Sequence, residues 1–221
     1  MPAIAAEGTW QAGAARANIT PEQSMWMSGY GGRDHPSEGK LTDLWAKAVV
    51  LADPAGHRLV LVTLDLVGID RGVSLAIRDA AADKFDLARA DIALNSSHTH
   101  TGPVVGTNLR SMYFYDDAQQ QRVDDYTAAL IDDVVAVIGE AIADLAPCEI
   151  TYGSGQATFA VNRRNNQQNA VPELRAAGEL VGPVDYDVPV LIARDASREV
   201  KAIVFGYACH ATTLSFFQWS G

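Results

Sequence analysis

Two histidines separated by a single residue are the side chains of this sequence best suited to chemistry. His98 and His100 follow residues 91–94, an apolar run that predicts a short buried strand, and Gly102 and Pro103 then turn the chain. If the backbone stays extended, the alternation of side chains projects both imidazoles to the same side. Because neutral imidazole is the commonest metal ligand among side chains, the pair indicates a metal site, with hydrogen bonding inside a loop as the alternative.

A third histidine follows another apolar run near the end of the chain. Residues 199–208 predict a strand, and His210 follows it after one intervening residue, Cys209. A zinc site needs three or four ligands, and they commonly come from strand ends that are distant in sequence. His210 is therefore expected to share one site with His98 and His100, and a buried core histidine is the alternative.

Length, composition and net charge limit the classes of protein to which this chain can belong. The chain has 221 residues, of which 48% are hydrophobic, enough for one sizeable core and a single domain over residues 1–221. A net charge of −10 argues against nucleic-acid binding. No apolar run approaches the roughly 18–20 residues of a membrane span. No signal peptide is visible at residues 1–7, so a cytoplasmic location is the default expectation.

The hydrophobic periodicity predicts a layered α/β domain with mixed β-sheets and flanking helices. Short β-rich runs joined by turn residues predict strands at 9–19, 44–52, 59–64, 91–95, 148–158, 188–194 and 199–208. Apolar residues at threes and fours predict helices at 70–85 and 117–145. Hairpin connections argue against a purely parallel sheet. Cys148 and Cys209 are interpreted as two buried thiols, with a disulfide as the alternative.

The sequence also supports interpretations of two loops and of the last six residues. The loop at 24–43 carries glycines beside Met25, Trp26, Met27 and Tyr30, so it either walls an apolar pocket or folds on its own aromatic rings. Residues 162–169 form a polar loop of a kind that is often functional. Phe216, Phe217 and Trp219 lie in the last six residues, which favours a truncated N-terminal piece of a longer protein over a C-terminus tucked into the core.

Several motifs together resemble the neutral/alkaline non-lysosomal ceramidase family. They are the Ile-Thr-Pro segment at 19–21, the Gly-Tyr pair at 29–30, the strand ending in Asp at 61–65, the His-Thr-His-Thr-Gly-Pro box at 98–103, the Asn-Arg pair at 162–163, and His210. Thr101 stands where the family's box has serine. The resemblance covers nearly the whole chain but only the first part of the family's catalytic domain.

The resemblance implies a role for each matching residue. His98 and His210 match zinc ligands, His100 matches a histidine that supports the metal or the chemistry beside it, and Arg163 matches an active-site arginine at the scissile amide. Asp65 either orients a histidine or caps a turn. The family's remaining zinc ligands, a glutamate and a tyrosine, and its serine-containing active-site segment come from segments downstream of those matched here, as does its C-terminal β-sandwich.

The activity that the resemblance implies is zinc-dependent hydrolysis of an amide bond in a ceramide-like N-acyl lipid, within sphingolipid metabolism. The zinc would activate water and polarise the carbonyl, with His100 moving a proton and Arg163 stabilising the oxyanion. Two alternatives remain: a non-catalytic domain that keeps the fold and binds a lipid or a partner, and a zinc-dependent esterase. The 221 residues alone are expected to be inactive, the oligomeric state is open, and members of the family are often secreted.

Overall fold

The computed structural model describes residues 9–214, and Phe216, Phe217 and Trp219 lie outside them. The described residues form two compact units. The first unit comprises residues 9–149 and 211–214, and the second comprises residues 150–210. The α/β architecture expected from the sequence, mixed sheets with flanking helices, is confirmed. The expectation of a single domain stays a prediction.

A five-stranded mixed sheet organises the first unit. Its strands are β1 (Gln11–Asn18), β2 (Trp45–Ala52), β3 (Arg58–Leu64), β4 (Ile92–Ser96) and β5 (Ala146–Pro147). The order across the sheet is β4-β3-β2-β1-β5. All neighbouring pairs are antiparallel except β3 and β4, which are parallel. The carboxyl ends of β3 and β4 therefore meet at one edge, where loops commonly carry functional side chains.

Two helices cover one face of this sheet. Helix α1 (Arg71–Phe85) connects β3 to β4, as a parallel pair requires, and α2 (Asp117–Ala143) packs against β1, β2 and α1. Asp70 and Asp116 cap their N-termini by accepting hydrogen bonds from Val73 N and Gln119 N. The core between helices and sheet contains alternate valines and leucines of the strands and the apolar stripe of α2. Its largest fully buried aliphatic side chains include Val50, Val60, Val62, Leu64, Ile77, Leu130 and Ile138.

The second unit contains a three-stranded sheet in the order β6-β7-β8. Its elements are β6 (Glu149–Gln156), which begins at the boundary, α3 (Val171–Ala177), β7 (Asp187–Arg194) and β8 (Val200–Phe205). The strands β7 and β8 are antiparallel, as the turn residues between them predict. One-turn 3₁₀ helices occur at Arg89–Asp91, Arg110–Met112 and Gln168–Ala170.

The structure answers two smaller questions that the sequence left open. Neither cysteine forms a disulfide. Cys148 is buried as expected, but Cys209 is exposed because it lies in irregular chain beyond the end of β8, so the expectation of two buried thiols is wrong for Cys209. Within residues 9–214, no helix is both long enough and apolar enough to cross a membrane.

Candidate metal centre

His98 lies just beyond the carboxyl end of β4, in a turn rather than in extended chain. Its φ of 60° is left-handed, a conformation that histidine adopts more readily than most residues. The condition under which strand alternation would align the two imidazoles is therefore not met, since β4 ends at Ser96 and His98 is not extended. The ring is instead held by Val67, which follows β3: the Nδ1 atom of His98 lies 2.6 Å from the Val67 carbonyl oxygen.

This contact determines the tautomer of His98. A carbonyl oxygen can only accept a hydrogen bond, so Nδ1 of His98 donates its proton to Val67. In the neutral ring the lone pair then lies on Nε2. Metal-binding histidines are commonly oriented in this way, with the second nitrogen bonded to a carbonyl or a carboxylate. Nε2 is therefore the nitrogen of His98 that can accept a hydrogen bond or bind a metal ion.

His100 packs directly against His98. Their ring centroids lie 5.0 Å apart with an interplanar angle of 80°, and their ligand nitrogens lie within 4.8 Å of one another. His100 is 8% exposed, and the ring of Tyr30 meets it edge-on at 4.7 Å. The sequence prediction that the two imidazoles come together is confirmed, although a left-handed turn, not strand alternation, brings them there.

Gly29 lies against the His100 ring. Its φ is 99°, and a Cβ atom placed on it would lie 2.5 Å from Cγ of His100. Both the backbone conformation and this close approach require glycine. The Gly-Tyr pair that the sequence singled out thus contributes both residues to the surroundings of His100.

Arg33 is a buried participant that the sequence analysis missed. Only 4% exposed, it donates hydrogen bonds from one guanidinium nitrogen to the carbonyl oxygens of Ser28 and His100, each at 2.8 Å. Burial lowers the pKa of Arg33 from its ordinary value, while Tyr30 and Tyr113 act in the opposite direction. An arginine in a glycine-rich loop is typical of an exposed surface, so the sequence carries no signal for this role.

Asp65 does not hold His98. Its Oδ2 atom accepts a hydrogen bond from Trp45 N at 3.0 Å, so it joins the end of β3 to the beginning of β2. The contact that the structure shows for the Asp65 carboxylate is thus a link between two strand ends. The His98 ring is oriented by the Val67 carbonyl instead.

The loop at 24–43 is folded into the first unit. Met25, Trp26 and Met27 are all buried, and the Trp26 ring lies 5.6 Å from that of Tyr115. A cavity of about 320 Å³ opens beside this loop, and Met25, Met27 and Leu44 form part of its apolar lining. The cavity also contacts residues 101–103, the end of the histidine box. The loop therefore lines a cavity, whereas its buried Trp26 ring packs against Tyr115 from outside the loop rather than against the loop's own rings.

In the second unit, Arg163 and Arg164 lie in a turn. Asn162 Oδ1 accepts hydrogen bonds from the backbone nitrogens of Arg164 and Asn165, which closes this turn. Arg163 donates to Gln168 Oε1 at 2.9 Å, and both arginines are exposed. The placement of Arg163 in the catalytic site stays a prediction.

His210 is the last residue of the second unit and lies beyond the end of β8. It is exposed, so the alternative of a buried core histidine is not what the structure has. The convergence of His210 with His98 stays a prediction.

Comparison with known proteins shows the family to which the chain belongs. The sequence profile for neutral/alkaline non-lysosomal ceramidase, N-terminal, matches residues 10–218. The chain belongs to this family. The neutral ceramidase of Pseudomonas aeruginosa is 29% identical over 219 residues, which cover 97% of this chain and 32% of that protein. The neutral ceramidase of Mycobacterium tuberculosis is 24% identical over 209 residues, covering 90% and 32%.

The fold agrees with that of solved ceramidases. The crystal structure of neutral ceramidase from Pseudomonas aeruginosa superposes with a TM-score of 0.75 at 27% identity, covering 95% of this chain and 33% of that one. A structure described as ceramidase complexed with C2 gives a TM-score of 0.72 at 26% identity, covering 94% and 32%. This ceramidase-family chain thus spans about a third of the length of the relatives it matches.

Proposed function

We propose that this ceramidase-family chain takes part in zinc-dependent hydrolysis of the amide bond of a ceramide-like N-acyl lipid. Family membership supports the reaction class, and the relatives named neutral ceramidases support the substrate class. The observation that carries the metal part of the proposal is the contact of His98 Nδ1 with the Val67 carbonyl, because it leaves the lone pair on Nε2.

We propose His98 and His210 as ligands, with His100 beside the metal. The donor set fits zinc, since each of the three side chains offers an imidazole nitrogen. The other two histidines have different environments. His35 bonds to Asp34 and Glu38, and His57 bonds to Asp91, contacts typical of surface ion pairs.

Two side chains of the protein would carry out the other parts of the hydrolysis, proton transfer and stabilisation of the oxyanion. When bound, zinc would supply activated water near neutral pH and polarise the amide carbonyl. His100 would exchange a proton with the reacting groups from its buried position next to His98. Arg163 would donate hydrogen bonds to the carbonyl oxygen as negative charge develops on it. These roles explain why the histidine box needs two imidazoles rather than one.

The decisive experiment uses a form of the protein that includes the family's downstream segments. It compares His98→Ala with His57→Ala, a surface control whose partner Asp91 precedes β4, whereas the histidine box follows that strand. His98→Ala should weaken zinc affinity on the order of 100-fold or more and abolish amide hydrolysis, whereas His57→Ala should change neither. Zinc content is measured by elemental analysis, and activity on matched N-acyl amides and esters. Unchanged zinc binding in His98→Ala contradicts the metal site, and hydrolysis of esters alone contradicts the amide substrate.

A further inference from the structure

The polar groups packed around His100 form a single hydrogen-bonded unit, which we call the His100 clamp: Ser28, Gly29, Arg33 and Tyr113. Gly29 touches the ring of His100, and Arg33 bridges the carbonyl oxygens of Ser28 and His100. Tyr113 is the only one of the four that lies outside the loop at 24–43, and it is 84 positions from Gly29. The clamp therefore depends on a residue that approaches from a different part of the first unit.

The hydroxyl of Tyr113 makes two contacts to this loop. It lies 2.6 Å from Ser28 Oγ, and it accepts a hydrogen bond from Gly29 N at 2.9 Å. Ser28 N in turn donates to the Gly102 carbonyl at 2.9 Å, in the histidine box itself. Tyr113 thus holds the two residues of the loop that lie between its own ring and His100.

The burial of these polar groups indicates that they have a role beyond filling volume in the core. Tyr113 is 1% exposed, Ser28 0% and Arg33 4%. Buried polar groups destabilise a protein unless they are bonded, and a phenylalanine would fill the same volume without that requirement. Hydrogen-bonded polar side chains, by contrast, also restrict how the residues that they join can move. Of these groups, Tyr113 accepts a hydrogen bond from the Gly29 backbone directly, and the His100 ring lies against Gly29.

We infer that Tyr113 is a positioning residue that fixes the orientation of the His100 ring through Ser28 and Gly29. The inference rests on the proposed function, in which His100 acts beside the metal. Tyr113 acts through other residues and makes no contact with the reacting groups. Its hydroxyl sets where the Gly29 backbone lies, and that backbone limits how the ring can turn.

Tyr115 provides a matched control. Its ring stacks on that of Tyr113 with centroids 6.5 Å apart, and its hydroxyl is also buried. Unlike Tyr113, the Tyr115 hydroxyl has no hydrogen-bond partner among residues 9–214. Tyr113→Phe and Tyr115→Phe each remove one buried hydroxyl oxygen from the same aromatic cluster. Only Tyr113→Phe also removes a hydrogen bond to Gly29.

The first test is a double-mutant cycle on amide hydrolysis, measured in a form of the protein that includes the family's downstream segments. Tyr113→Phe should lower kcat about tenfold with KM changed less than about twofold, because His100 is misoriented while substrate binding is intact. Tyr115→Phe should leave both unchanged. In the His100→Ala background, Tyr113→Phe should have no further effect on kcat, since the residue that it positions is gone. An independent, additive loss would show a general structural role and overturn the inference.

The second test needs neither activity nor metal. The chain has five histidines, so ring signals in the NMR spectrum of the metal-free, histidine-labelled protein can be assigned with His100→Ala. Tyr113→Phe should move the His100 signals and leave those of His35 and His57 in place, whereas Tyr115→Phe should move none. If Tyr113→Phe does not fold, Ser28→Ala removes one of the same hydrogen bonds and should move the same signals.

Unchanged His100 signals in a folded variant would overturn the positioning role. If the wild-type protein with the family's downstream segments hydrolyses no amide while the signals move as expected, the proposed function fails and the positioning role stands.

Discussion

At the scale of the residue, one backbone carbonyl decides what His98 can do. The Val67 oxygen selects the tautomer with the proton on Nδ1, and the left-handed turn at His98 aims the ring. His100 differs in that its neighbours restrict the ring by contact: Tyr30, Gly29 and His98 itself surround it. Two histidines of one short motif therefore have different surroundings, which agrees with the different roles proposed for them.

That difference predicts the behaviour of His100→Ala. The variant should lose turnover by about 10²–10⁴-fold, the usual range for a general acid or base, while keeping most of its zinc. Zinc content and kcat measured on the same preparation test this. Loss of stoichiometric zinc would instead make His100 a ligand.

The two neighbouring arginines of the second unit allow a similar comparison. Arg163→Ala should reduce kcat by about 10²–10³-fold because a donor to the developing oxyanion is lost, and Arg164→Ala should leave it nearly unchanged. Both side chains are exposed, so neither variant should alter stability much. Steady-state kinetics of the pair decide the assignment, and the reverse pattern would transfer the role to Arg164.

At the scale of the element, Asp70 connects helix α1 to the chain that follows the histidine box. One carboxylate oxygen caps the helix at Val73 N, and the other accepts hydrogen bonds from the backbone nitrogen and hydroxyl of Thr107 at 2.6 and 2.7 Å. Partial burial raises the pKa of Asp70, but the hydrogen bonds from Thr107 and Val73 outweigh it, so the net pKa lies below its usual value.

We therefore expect Asp70→Ala to lower the free energy of unfolding by about 1–2 kcal/mol at neutral pH, a typical value for a lost cap. Because the folded-state pKa is depressed, this contribution is fully present above the unfolded pKa of about 3.9. It is lost as pH falls through the lower folded-state value. Denaturant unfolding at pH 7 and near pH 3 measures both effects. Asp79→Ala, an exposed change on the same helix, is the control, and an equal loss in it would contradict the capping role.

At the scale of the whole molecule, the described chain is two compact units, and it matches about a third of each relative's length. A site of neutral imidazoles lacks a carboxylate to offset the charge of zinc. We therefore expect the 221 residues alone to bind zinc weakly, to hydrolyse little or no amide and to aggregate readily. Oligomeric state, bound zinc and activity, measured against a longer form of the protein, test this. A monomeric, zinc-replete and active 221-residue protein would contradict it.

The elements could be predicted from the sequence because their signals are local. The period of apolar residues located α1 and α2 within two residues at each end, and Asp53 and Gly56 marked the turn between β2 and β3. The proximity of His98 and His100 was predicted for the same reason, since only one residue separates them. The left-handed conformation of His98 was not predicted, because single left-handed residues leave little trace in hydrophobic periodicity.

The contacts that specify the site were decided by tertiary structure alone. Val67 lies 31 positions from His98, Arg33 lies 67 from His100, and Tyr113 lies 84 from Gly29. Such hydrogen bonds form only after the parallel pair β3 and β4, helix α2 and the loop at 24–43 have packed together. The residue types suited to metal chemistry, and the elements that carry them, could be recognised from the sequence. Packing determined the tautomer of His98 and the clamp on His100, because both depend on where distant backbone atoms come to lie.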